Sequence, residues 1–362
     1  MKSSIYKKIR RLFLIMLLPV WIYAENPEII LIDPGLIEKS LTHYTEIPTI
    51  SLYPAEITSL QPISTSAIVI TISNLLPERT LSVRLTLELD GKKEEEKRLS
   101  LSPGEKIPVL YQLSKPMTST HEIKAILHCS KPKNLTEWEK SLIFKDREHK
   151  EPFTLKDIVK IHYTKNPLPI TGNISAWKKI PPLLLNKKED IFPVNARAEW
   201  KGPEDLSAAI YFAWDLEYLY LGAMVSDNKH HNTKIGSTIW DGDALQCAFV
   251  PYGTEGTPPL NLGVALASGT VQAFQWAGEE SNILQKGKYL VTRKEEEKKT
   301  FYEMKLPLDR VKIGNSEGKI FACNLVIFDG DENEGQDYWI QISPGLAGGW
   351  NPGQFKRFIL WK

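Results

Sequence analysis

From residue 67 onward the chain is a series of short stretches in which apolar, often β-branched residues alternate with polar ones. Ala67–Ser73, Leu81–Leu89, Ile107–Leu113 and His121–His128 each repeat with period two, the pattern of strands with one buried face. Asp90-Gly91 is a hairpin turn signal, and Lys92–Arg98 reads as its solvated, charged tip. A second series covers 205–214, 218–225, 243–250, 262–267, 271–276, 289–293, 300–306, 319–328 and 336–342, with another charged tip at 293–299. No long stretch keeps a helical period. The pattern predicts an all-β protein of two antiparallel β-sandwiches: an immunoglobulin-like one over 45–146 and a jelly-roll-like one over 170–362. Pro152, Pro167 and Pro169 punctuate 147–169, which reads as a linker. Within it, Leu155–Ile161 is open between a helical turn and an edge strand.

The first 24 residues change the picture. Lys2, Lys7, Lys8, Arg10 and Arg11 precede a nearly continuous apolar run over Leu12–Trp21, the layout of a secretory signal peptide. The apolar stretch to Ala24 is well short of the ~20 residues that span a bilayer, so cleavage after Ala24 and no membrane span thereafter are expected. The mature protein would be secreted or periplasmic. Without the signal's basic residues the net charge is about −4, which argues against a nucleic-acid partner held by phosphate contacts.

Chemistry-bearing motifs are sparse. Cys129, Cys247 and Cys323 are scattered, with no metal-binding spacing; whether Cys247 and Cys323 pair is open. No Gly-x-Ser-x-Gly, His-Glu-x-x-His, phosphate-binding loop or dinucleotide fingerprint is present, so a non-enzyme is expected. His230-His231 lies in a polar loop and reads as solvated. Eight of the ten tryptophans fall after residue 170, and an indole serves either as a core anchor or as a platform for a flat ligand. Trp240 and Trp350 stand in loops rich in Gly, Pro and polar residues. Trp200, Trp214, Trp276, Trp339 and Trp361 read as packing residues.

Five motifs in order, Ala208–Asp227, Ile239-Trp-Asp-Gly-Asp-Ala-Leu-Gln246, Tyr302–Leu308, Asn324–Asp329 and Gly349-Trp-Asn-Pro-Gly-Gln-Phe355 continuing to Leu360, together resemble the family 9 carbohydrate-binding modules and the wider superfamily of DOMON-like sandwiches. The first sandwich resembles, less specifically, adhesion-like modules found in exported bacterial proteins, which implies a protein partner for it. The family resemblance implies a sugar ring held between Trp240 and Trp350, with Gln246, Asp243 and Asn351 as further ligand-binding residues and a polysaccharide or oligosaccharide as partner. Gln246 stands where the family carries a glutamate. The family's arginine on the next strand has no counterpart in the uncharged Leu260–Ala267.

Calcium is the cofactor that the resemblance implies. Asp329-Gly-Asp-Glu-Asn-Glu-Gly335 spaces oxygen donors alternately, nominating Asp329, Asp331 and Asn333, with Asp227, Asp241 and Asp243 as further candidates; Asp243 alternatively bonds loop amides. The expected function is an exported, non-catalytic carbohydrate-binding protein accessory to polysaccharide breakdown. The alternative is a structural or cell-envelope interaction protein whose sandwich has no ligand, or binds haem through Met224 and His230 or His231.

Overall fold

The computed structural model describes residues 53–193, 199–252, 259–278, 283–331 and 335–362. The expected signal segment and Asn333 lie outside the described residues. Seven strands build the first sandwich: β1 (Ala55–Ser64), β2 (Ala67–Asn74), β3 (Leu81–Leu89), β4 (Lys92–Leu101), β5 (Lys106–Gln112), β6 (Thr120–Cys129) and β7 (Arg147–Thr154). They form sheets of order β1-β2-β5 and β4-β3-β6-β7, the immunoglobulin-like arrangement. Alternate residues of β3 (Leu81, Val83, Leu85, Leu87) are buried against Ile68, Ile70 and Ile72 of β2 and Ile123, Ala125 and Leu127 of β6. The β3–β4 hairpin turns on two left-handed residues, Asp90 (φ 51°) and Gly91 (φ 75°), as a tight primed turn requires.

Two expectations need correction here. The charged run Lys92–Arg98 is no hairpin tip but most of strand β4. It lies at a sheet edge, so neither face needs an apolar row, and its lysines discourage pairing with another chain. The segment 147–169 is likewise not a bare connector. Its first part is β7, an edge strand whose single fully buried residue is Phe153; Pro152 is tolerated there because the missing N–H falls on an edge. Leu155–Asp157 makes one 3-10 turn, and Val159–Tyr163 is β8 of the second sandwich.

The remaining strands are β9 (Leu183–Leu185), β10 (Ile191–Pro193), β11 (Leu206–Trp214), β12 (Tyr218–Asp227), β13 (Ala244–Pro251), β14 (Leu260–Ala267), β15 (Thr270–Ala277), β16 (Lys288–Lys294), β17 (Lys299–Pro307), β18 (Ile320–Asp329), β19 (Tyr338–Gln341) and β20 (Lys356–Trp361). They join in the order β15-β14-β13-β18-β20-β8-β11-β12-β17-β16, with β19 beside β18 and β10, and β9 beside β11. The sheet folds over so that β14 and β15 approach β16. Its two halves enclose one core, in which Leu245, Cys247, Phe249, Leu262 and Val264 pack with Ile210, Phe212, Leu221 and Met304. Parallel pairing occurs only at β8, between β20 and β11, among the described residues. Cys247 sits opposite Leu325 and Cys323 opposite Phe249, so the two thiols are diagonal neighbours, at a spacing poorly suited to a disulfide; all three cysteines are free and buried.

The two sandwiches are fused. Ile320 and Ile359 of the second belong to the core of the first, and Thr65 N donates to Gly318 O at 3.0 Å. Residues 52–362 form one compact unit. Among the described residues no helix is long and apolar enough to cross a membrane.

One ion pair closes the lower loops of the first sandwich. Arg79 Nε and Nη2 donate to Glu139 Oε1 and Oε2 at 2.5 and 2.7 Å, and Thr136 N donates to the same carboxylate at 2.7 Å. The hydrogen bond from Arg79 is the main cause that lowers the Glu139 carboxyl to about 2 from 4.5. A depressed carboxylate pKa contributes stability that is present above 4.5 and lost as pH falls towards 2. Glu139→Gln is therefore expected to melt a few degrees below the parent at pH 7, with the two melting curves converging as the pH is lowered through that window.

Candidate functional site

The pleat gives β13, β14 and β18 two rows of side chains each. The inner rows fill the core, and the outer rows form a floor of unusually small residues: Ala244 and Ala248 on β13, Gly263 and Ala265 on β14, Ala322 and Val326 on β18. Two loops lie on this floor. The first, 232–243, buries Ile239 fully and is tied by Asn232, whose Nδ2 donates to Ile239 O at 2.8 Å and to Asp243 O at 3.0 Å. The second, 343–355, buries Leu346 and Phe355 in the same apolar cluster. Each loop leaves its tryptophan in solvent, Trp240 at 42% and Trp350 at 47% exposure. Trp240 rests on Phe328 (ring centroids 6.5 Å) and Trp350 on Phe355 (5.6 Å).

Gln246 faces outward from the middle of the floor, between Val326 and Gly263, and its Nε2 donates to Asn261 Oδ1 at 2.9 Å. Asn351, exposed next to Trp350, caps the short turn Pro352–Gln354 by accepting from Gly353 N at 3.2 Å. Asp243 does not reach the floor. It is 3% exposed and accepts from His231 N and, at 3.2 Å, from Gly330 N. Its nomination as a ligand-binding residue is corrected: burial turns it towards loop backbone, the alternative the sequence had offered. Two aromatic residues of the floor were assigned by sequence to packing alone. Trp339 packs edge-on to Phe328 at 6.3 Å, and Trp276 stands half-buried on the edge strand β15 beside Phe274. An alternating strand with aromatics in one row and Val271 and Ala273 in the other does not announce which row is inside.

Beside the first loop, the ends of β12, β13 and β18 gather carboxylates. Oxygens of Asp227, Asp329 and Asp331 lie within 4.8 Å of one another, as do ligand atoms of Asp227, His230 and Asp243. Asp227 accepts from Lys229 N at 2.7 Å and is 3.3 Å from Arg293 Nη1. Asp329 is 1% exposed, and neither of its oxygens has a partner among the described residues; Asp331 Oδ1 is likewise buried and unpartnered. Burial first, then mutual repulsion, pushes Asp329 and Asp243 well above the usual carboxylate range and raises Asp227 and Asp331. His230 is not solvated. Its Nε2 is 3.0 Å from Leu266 O and its Nδ1 3.5 Å from Asp243 Oδ2, and burial lowers its pKa. Met224 packs with the Trp177 cluster instead, so the structure does not assemble the haem pair.

This donor set suits a hard divalent cation. Oxygens on opposite sides of a calcium ion are up to about 5 Å apart, which matches the clustering, and the orphaned carboxylates are the atoms such an ion would satisfy. The local Asp-x-Asp-x-Asn pattern thus brings Asp329 and Asp331 together, with Asp227 supplied by another strand.

No family model matches the chain, and no curated protein matches it. Among solved structures it is similar to a family 9 carbohydrate-binding module from Caldicellulosiruptor kristjanssonii in complex with cellotriose, at 14% identity and a TM-score of 0.44 over 56% of this chain and 93% of that one. The same module in complex with glucose gives 15% and 0.43, over 56% and 95%. A protein from Bacteroides uniformis described as carbohydrate-binding gives 12% and 0.40, over 56% and 99%.

The acidic cluster makes a prediction of its own. A carboxylate whose folded pKa is raised stabilises the fold only while protonated, and this contribution is lost as pH rises through the raised value. With divalent cations chelated, Asp329→Asn is expected to be more stable than the parent at pH 7, by on the order of 1 kcal/mol. The gap should close as the pH falls towards 3.8, the ordinary value; thermal melts across that range measure it.

Proposed function

We propose that the protein is an exported, non-catalytic carbohydrate-binding protein that holds a sugar ring between Trp240 and Trp350. The observation that carries this reading is the placement of two solvent-exposed indoles on separate loops over one small-residue floor, with the amides of Gln246 and Asn261 between the loops. A pyranose offers an apolar C–H face to each ring and hydroxyls at its rim, which side-chain amides can both donate to and accept from. Three of the five motifs that resemble the family 9 modules, those at 239–246, 324–329 and 349–360, border this face, while those at 208–227 and 302–308 lie on β11, β12 and β17 across the core. If each indole removes about 100 Å² of apolar surface from water, the pair contributes roughly 5 kcal/mol at 25 cal/mol/Å². Association costs of several kcal/mol consume most of this, so stacking alone holds one ring only weakly and hydrogen bonds to its hydroxyls decide the affinity.

Calcium held by Asp227, Asp329 and Asp331 is the second part of the proposal. When bound, the ion supplies positive charge that offsets the buried carboxylates. The residues themselves do the rest: Asp243 ties His231 and Gly330 together three residues after Trp240, and Gln336 Nε2 donates to Trp240 O, so order at the acidic end is passed to the loop that presents the indole.

Titration calorimetry with glucose and cellotriose, alongside a glycan array, tests the sugar site. The parent is expected to bind, and Trp240→Ala and Trp350→Ala each to weaken binding at least tenfold with a melting temperature within about 2 °C of the parent, because exposed substitutions change stability little. A parent that binds no glycan would overturn the reading in favour of a structural or envelope-interaction role. Calcium is expected to raise the parent's melting midpoint by several degrees and to leave Asp329→Asn unmoved; equal shifts in both, or none in the parent, would remove the metal from the proposal.

A further inference from the structure

The floor extends beyond the two loop tryptophans. β15 is the edge strand, and its outer row carries Phe274 and Trp276 while Val271 and Ala273 pack on the core. The Trp276 indole packs over Gly263: a Cβ at that position would sit 2.8 Å from two of its ring atoms. The same Cβ would sit 2.8 Å from Leu245 O, so the neighbouring strand's backbone and the ring together occupy the space a side chain would need. The indole N–H donates to Ser237 O at 2.9 Å, fixing the ring to the loop that carries Trp240. The ring is half-buried, packed beside Phe274 and held by its one polar atom.

The two platforms are rooted on different strands. Phe328, which supports Trp240, is on β18, and Trp276 is three strands away on β15, about 14 Å at ordinary strand spacing. Gln246 on β13 and Asn261 on β14 occupy the diagonal between them, and beyond their mutual bond at 2.9 Å each amide has further donor or acceptor capacity. The order across the face is aromatic, amide pair, aromatic: ring, hydroxyls, ring.

We propose that Trp276 is a second stacking platform and that this face takes an oligosaccharide of three or more pyranose rings running diagonally from β18 to β15. The proposal rests on the carbohydrate-binding reading and adds the length of its ligand. Calorimetry with glucose, cellobiose, cellotriose and cellopentaose tests it. Affinity of the parent is expected to rise at least tenfold between one and three or more rings. Trp276→Ala should bind glucose as the parent does and lose that rise to within threefold, and Trp276→Phe, which keeps a ring, should retain part of it. Equal affinity of the parent for all lengths, or an undiminished rise in Trp276→Ala, would overturn the second platform while leaving the first. A Trp276→Ala variant that loses glucose and longer oligomers in equal proportion would overturn it too, showing a support for the Trp240 loop. A parent that binds none of the four sugars and no glycan on the array would overturn both readings together.

Discussion

The pleat of β13, β14 and β18 imposes the constraint from which the candidate site follows. Three neighbouring strands must fill a core on one side, which they do with Leu245, Cys247, Leu262, Val264, Leu325 and Ile327. On the other side alanine, glycine and a few amides leave low ground in the middle, bordered by Val250, Val326 and Phe328. Large outer residues would have filled the space that the loops 232–243 and 343–355 now occupy, and the loops would have had no apolar seat. Ile239, Leu346 and Phe355 take that seat, and their burial offsets the cost of leaving two neighbouring indoles in water.

Strands such as β3 and β6 were legible because buried and wet residues alternate along them, whereas β11, β14 and β18, buried on both faces, showed as apolar runs. Every strand from β11 to β19 falls where the pattern placed one. The misses fall in two groups: β1, β4 and β7 are edge strands, and β8 to β10 and β20 are too short to show a period. Site residues divide the same way. Trp240 and Trp350 stand out in sequence because Gly, Pro and polar residues surround them, and the structure leaves both exposed. Asp243 was misassigned as a ligand-binding residue, since a motif says which residues are near one another along the chain and not which of them the fold buries. The company Asp227 keeps with Asp329 and Asp331 arises from the pairing of distant strands, as does the place of Trp276 above Gly263, and no local pattern encodes either.

The acidic end and the aromatic face are one mechanical assembly. Asp243 ends the loop that Trp240 begins to leave, and its carboxylate holds the backbone of His231 on one side and Gly330 on the other. The same carboxylate therefore ties the loop that carries Trp240 to the end of β18. Rigid presentation matters for a flat ligand, because ordering a loosely held side chain on binding would subtract from an already small free energy.

Ile320 and Ile359, rooted in one sandwich and buried in the other, have a consequence for reach. Two modules on a flexible tether sample many mutual angles; two that share hydrophobic interior move as a bracket. Anything that engages the immunoglobulin-like part is thereby held at a set angle and distance from the loops that carry Trp240 and Trp350.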